Sequence, residues 1–303
     1  MDSSIQKALK KAKRKQLAKI ALISFIVCIT LLFIISRIGM YLTARNTAQL
    51  HESLLLENAI SQPNVHIDSQ VTANSTLFGG NIITNRSKDI DGYLVPWSTL
   101  TSSYSLFGTS GDSNERTPGF HKNVDTFFEY DKQTKQRFAT FYHPAIKQYY
   151  GGVQNQLPAV IQLKNQLAEV AISFKQPLTM KQVRDYIPEN LNIAWLYMFS
   201  EKVDEAAGPS GVQVYGYSNS KLLKESFEEF KNNLKKYDTR QSMEVIQDYI
   251  AKNQNKPFNE VTVLGVMVTG RTENFKELLG KEFIRGASVG VTVPIVPYIQ
   301  PTK

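Results

Sequence analysis

Gly286-Ala287-Ser288-Val289-Gly290 spells G-x-S-x-G, the string that presents a nucleophilic serine on a sharp turn between a strand and a helix. In that chemistry the acid and the histidine follow the serine along the chain. Here a β-branched run follows Ser288, thirteen residues remain after Gly290, and the last histidine is His143. The pattern predicts a tight turn or bend entering a strand, and no catalytic residue. The four histidines, His51, His66, His121 and His143, form no His-Glu-x-x-His or other close ligand pair, so spacing reveals no metal site. His66 and Asp68 would share one face of a strand, which suits a hydrogen-bonded pair. Neither a G-x-x-x-x-G-K-S/T nor a G-x-G-x-x-G phosphate loop is present; Gly79-Gly80 and Gly151-Gly152 read as turns, and no cofactor is implied. The aromatic stretches Thr126 to Tyr130 and Phe138 to Pro144, with Lys132, Lys135 and Arg137 between them, have the composition of a base-stacking platform. An antiparallel hairpin turning at Asp131 to Gln136 accounts for the same pattern.

The elements that must position these residues begin with Ile20 to Ser36, an apolar run without a charged residue, flanked by Lys19 and Arg37. At 1.5 Å rise per residue it crosses most of a hydrocarbon core about 30 Å thick, and is read as a membrane anchor. Net charge is +8, and residues 1–37 hold eight of the 35 cations against Asp2 alone, which leaves the rest nearly neutral. Basicity is thus a topology signal, and the positive-inside rule puts the N-terminus in the cytoplasm and the bulk of the chain outside. A cleaved signal peptide is the rival reading. The length of the apolar run, the long basic segment and the lack of a small-x-small site before Arg45 favour an uncleaved anchor. Cys28 lies within the run, so the outer part carries no thiol, as suits a bacterial, especially Gram-positive, surface protein.

Five segments follow: a basic cytoplasmic tail at 1–19, the transmembrane helix at 20–36, a juxtamembrane stalk helix at 37–62, a β-rich extracytoplasmic region at 63–156 and an α+β domain at 157–303. The stalk places Ile38, Leu42, Leu50 and Leu54 partly on one face, which leaves a weak coiled-coil homodimer open. In the β-rich region, Val65 to Val71 alternates, Leu77 to Gly80 is a break, Gly92 to Trp97 is an apolar segment ended by proline, and Gly108 to Gly119 is a loop. Beyond Leu157 the expected order is strand (Leu167 to Phe174), helix capped by Thr179, strands (Asn192 to Phe199, Val212 to Tyr217), helices (Lys221 to Lys236, Thr239 to Lys252), strand (Val261 to Thr269), a helix capped by Thr272, and strand (Ala287 to Val293). Gly208 to Gly211 is a loop. The fold class is a single transmembrane helix followed by an extracytoplasmic α+β region, β-rich first and then a sheet layer covered by helices.

The segments VTVLGVMVTGRTENFKELL, from Val261 to Leu279, and FIRGASVGVTV, from Phe283 to Val293, resemble the C-terminal domain of bacterial membrane-anchored sigma-factor regulators. Gly265, Thr269, Gly270, Arg285, Ser288 and Gly290 carry that likeness. Leu77 to Gly80, Val95-Pro96-Trp97 and Phe141-Tyr142-His143-Pro144 resemble its N-terminal part, so the resemblance runs from about Lys10 to Val293. It implies an anti-sigma-like protein that couples an outer domain through a span to control of an extracytoplasmic-function sigma factor. The chain departs from zinc-type anti-sigma domains in having no His-x-x-x-Cys-x-x-Cys motif, with nineteen residues before the span. A partner subunit in the membrane is therefore the expected source of an inhibitory module. The partners implied are membrane lipid and either a sigma factor or another membrane-bound anti-sigma subunit, with no direct nucleic-acid contact. A structural or ligand-binding envelope protein without a role in transcription is the alternative.

Overall fold

A computed structural model describes residues 3–112, 119–122, 127–208, 212–218 and 224–303. One helix, α1 (Ser3–Ser61), is 59 residues long and contains a single glycine and no proline. At 1.5 Å per residue it is about 88 Å long, and it stops where Pro63 would remove a backbone donor. The apolar run and the stalk are thus one element. Side chains from Ile20 to Ile35 lie open to the surroundings, whereas Leu50, Leu56 and Ile60 are buried. Leu50 packs with Ile82 and Tyr104, joined by Leu54, whereas Ile38 on the same helix is exposed.

Four antiparallel strands, β1 (His66–Thr76), β2 (Gly79–Ile90), β3 (Tyr93–Ser105) and β4 (Gly108–Asp112), form a meander in that order. Gly108 to Asp112 is strand where a loop was expected; residues 113–118 lie outside the described residues. Pro96 does not end its segment but sits inside β3. It pairs with Ser87 on one side, and β4 joins β3 only from Ser102 onward, so the missing N–H faces no strand there. A bulge between Ile67 and Ser69 breaks the alternation that would have aligned His66 with Asp68, and Asp68 instead accepts a hydrogen bond from Ser87 Oγ.

The expected hairpin is formed but short: across its turn at Asp131 to Gln136 the Asp131 N–H donates to Gln136 O at 2.7 Å and the Phe138 N–H to Glu129 O at 3.0 Å, with Tyr130 bridged to Arg137. On its other side β6 (Phe127–Tyr130) pairs with β5 (Gly119–Lys122). Thr126 lies outside the described residues. Residues 138–144 run as an extended strap toward β7 (Gln148–Tyr149) and the short helix α2 (Leu157–Val160).

The remaining elements are β8 (Gln166–Thr179), α3 (Met180–Tyr186), β9 (Asn192–Ser200), β10 (Ala206–Ala207), β11 (Val214–Tyr217), α4 (Lys224–Gln241), α5 (Glu244–Asn253), β12 (Thr262–Arg271) and β13 (Ile284–Pro294). The loop expected at 208–211 and the first residues of the helix expected from Lys221 fall on residues outside the description, apart from Gly208. Five strands make an antiparallel sheet in the order β11-β9-β12-β8-β13. β12 is central, which is why its run of Val and Met is buried on both faces. On one face, Phe174, Leu196, Val266 and Val268 form the main core with Phe227 and Phe230 of α4 and Ile246 of α5. On the other, Ala171, Trp195, Tyr197 and Met267 pack against Ala139 and Phe141 of the strap. Thr179 caps α3 in a capping box with Gln182. Thr272 does not cap: it opens a 3-10 segment (Thr272–Leu278) and donates its hydroxyl to Leu163 O at 2.5 Å and Gln166 O at 3.2 Å, tying that segment to the start of β8.

Candidate functional site

Ser288 lies within β13, between irregularities at Ile284/Gly286 and Val289/Thr292, and not on a turn into a helix. Its buried Oγ accepts the Thr140 N–H at 2.9 Å, and two strap residues on, the Tyr142 N–H donates to Ser173 Oγ of β8 at 2.8 Å. The strap lacks a strand partner there, so serine hydroxyls take up backbone donors that burial would otherwise leave unmatched. Phe141 stacks on Tyr197 with ring centroids 4.2 Å apart. A Cβ on Gly265 would come within 2.5 Å of Phe141 and 2.6 Å of the Ile172 carbonyl oxygen, which explains a glycine in the central strand. Gly270 is hemmed by Leu191 in the same way.

At one end of the strap lies a buried ion pair. Lys88 Nζ of β2 stands 2.8 Å from Glu169 Oε1 of β8, with side chains 4% and 0% exposed. Asn64 Nδ2 donates to the second carboxylate oxygen at 2.7 Å and to Asp89 O at 3.0 Å, from a backbone held at φ 53°. Lys88 also lies 4.5 Å above the Trp97 ring, whose edge contacts Phe138 with centroids 5.0 Å apart. A Cβ on Gly290 would sit 2.5 Å from Glu169 Oε1, so Gly290 makes room for the carboxylate.

At the other end, the Arg285 guanidinium donates to the carbonyl oxygens of His143 and Ile146, closing the turn in which Pro144 sits. His143 Nδ1 accepts the Ala145 N–H at 3.1 Å. Ser200 Oγ gives its proton to Glu201 O, so the His143 Nε2–H donates to Ser200 and the ring is the neutral Nε2–H tautomer. Burial first, and Arg285 second, push its pKa down to about 4. Trp97, His143, Arg285, Ser288, Gly265 and Gly290 therefore converge on one seam. Thr269 and Gly270 stand apart, near a cleft.

That cleft, of about 540 Å³, is lined by Asn64, His66, Asp89, Asp91, Asn192 and Thr269, among others. Asp91 is pushed up to about 6 by burial, with Asp89 adding to the effect, although the Lys303 N–H donates to it. A second cleft of about 340 Å³ shares His66, Ser218 and Ser226 with the first and reaches Asn58 and Trp195. The buried Trp195 Nε1–H and Asn58 Oδ1 have no hydrogen-bond partner among the described residues. Lys88, Glu169, Asn64 and Ser173 were not singled out from sequence. The available signal was a lone carboxylate and a serine inside the apolar run of β8.

Two family models match the chain, one described as sigma factor regulator N-terminal over residues 6–95 and one as sigma factor regulator C-terminal over residues 161–291. The chain belongs to the sigma factor regulator family. Within this sigma factor regulator the Lys88–Glu169 pair joins the two matched regions, one residue from each. Trp97, His143 and Pro144 lie between the matched regions. Comparison with curated proteins and with solved structures gives no match.

Proposed function

We propose that the chain is a single-pass membrane regulator of an extracytoplasmic-function sigma factor. α1 crosses the bilayer at Ile20 to Ser36, the basic tail faces the cytoplasm and the folded part lies outside. Family membership supports control of a sigma factor, and the cations before the apolar run support the orientation. One observation carries the coupling: α1 is unbroken from the basic tail to Ser61, and its last third is packed into the folded part. A displacement of that part moves the span as a rigid body.

The paired clefts are the place for an envelope signal. A ligand would shift the equilibrium only through unequal affinity for two arrangements of the seam. The inner tail contacts the sigma factor or a second anti-sigma subunit, and the protein acts without catalysis. Deleting the gene is expected to change transcripts that depend on the sigma factor. Level transcripts with altered wall or membrane properties would favour a structural envelope role instead. Orientation is tested with Cys28→Ser as background. An impermeant maleimide on intact cells is expected to label Thr72→Cys and spare Ser4→Cys, and the reverse pattern would refute it.

A further inference from the structure

The contacts between α1 and the meander form a ladder with a direction. Asn58 Nδ2 donates to Val65 O at 2.7 Å, His51 Nδ1 meets Gln70 Oε1 at 2.9 Å, and Asn46 Nδ2 donates to Ser105 O at 2.7 Å. Lowest on the helix, a Cβ on Gly39 would touch Leu106 at 3.4 Å and Leu77 at 3.6 Å. The β1–β2 and β3–β4 turns are therefore the parts of the sheet closest to the apolar run. Gly39 is three residues beyond Ser36, about 4.5 Å of helix rise, whereas the interfacial layer on each side of a bilayer is about 5–8 Å deep.

The two turns are chemical twins, Thr76-Leu77-Phe78-Gly79 and Ser105-Leu106-Phe107-Gly108. In each, the leading hydroxyl accepts the phenylalanine N–H at 3.2 Å and donates to the glycine carbonyl, at 2.8 Å and 3.2 Å respectively. Each glycine has φ 152°. One N–H and one carbonyl of each tip are thus matched within the turn, and the Leu106 N–H donates to Phe78 O of the other turn at 3.0 Å, which lowers the penalty for leaving water. In both, leucine faces α1 and phenylalanine points away: Phe78 is 67% exposed and Phe107 94%. No charged residue or histidine occurs from Ser69 to Thr84 or from Ser98 to Gly111. Tyr41, Met40 and Ile38 of α1 are exposed at the same level.

We propose that these twin turns are a second membrane contact, in which Phe78 and Phe107 insert into the interfacial layer of the bilayer that α1 crosses. This rests on reading Ile20 to Ser36 as a span. Aromatic rings favour that layer, and the absence of charge removes the desolvation penalty of approaching it. With α1, the two turns make a tripod that fixes the tilt of the outer fold on the membrane.

The test places the full chain in phosphatidylcholine vesicles containing lipid brominated at shallow acyl carbons. It compares Phe78→Trp, Phe107→Trp, Phe33→Trp within the span and Leu94→Trp at the far end of the sheet, after subtracting the emission of the native Trp97 and Trp195. Positions 33, 78 and 107 are expected to lose emission about twofold, with position 94 unchanged. Quenching at 33 while 78 and 107 behave like 94 overturns the proposal and leaves the span standing; quenching at only one turn overturns the paired contact. No quenching at 33 overturns the span reading and this inference together.

Discussion

Lys88 and Glu169 are both buried and mutually paired, which makes the seam more sensitive to loss of one partner than of both. Lys88→Met alone or Glu169→Leu alone is expected to destabilise the fold by about 3–5 kcal/mol, measured by denaturant unfolding of the full chain in detergent. The double substitution is expected to recover most of that loss; additive losses would show that the pair is not coupled. His143 sets a pH dependence. Its ring titrates at 6.5 in the unfolded chain and at about 4 when folded. Between these values the unfolded chain binds more protons, so the contribution to stability is complete above pH 6.5 and is lost as the pH falls to 4, up to about 3 kcal/mol. Asp91 acts in the opposite sense, since its pKa rises from 3.8 to about 6, and its contribution is lost as the pH climbs through that window. His143→Gln is therefore expected to narrow its melting-temperature gap to the parent as the pH falls from 6.5 to 4. A constant gap would contradict the assignment. Spacing could exclude an elbow at Ser288, but it could not reveal that the hydroxyl serves a strap residue 148 positions away. Nor could it pair Lys88 with a carboxylate 81 residues on.

Among the elements, α1 was readable because an apolar run and a proline-free continuation leave few alternatives to a helix. Its docking was not readable, since a face of spaced leucines serves a coiled coil and a sheet equally well. Hydrogen exchange separates the two uses. Amides from Leu50 to Ile60 are expected to exchange as slowly as those of β12, and amides of the basic tail rapidly. Exchange of the 50–60 stretch as fast as the tail would contradict docking. The hairpin is shorter than its alternating aromatics suggest, for a physical reason. The Phe138 N–H still pairs with Glu129 O of β6, but the Thr140 and Tyr142 N–H groups end on Ser288 and Ser173 hydroxyls instead of a neighbouring strand. Thr272 misled likewise, because a hydroxyl at a helix start can be drawn outward by stronger local acceptors.

Across the molecule, periodicity and turn residues made the succession of strands and helices after Leu157 legible. The neighbour order β11-β9-β12-β8-β13 was not, since it depends on which faces meet once the helices have packed. The seam between the meander and this sheet was also hidden, although its residues carry most of the resemblance to sigma factor regulators. A basic tail, a membrane-length apolar segment and a docked helix end lie on one continuous helix, and that helix is the proposed route of the signal. The most direct test is co-purification from detergent of the full chain and of a chain lacking residues 1–19. The full chain is expected to retain a sigma factor or a second membrane subunit and the shortened chain to lose it. Retention of neither partner by the full chain would contradict the regulator reading.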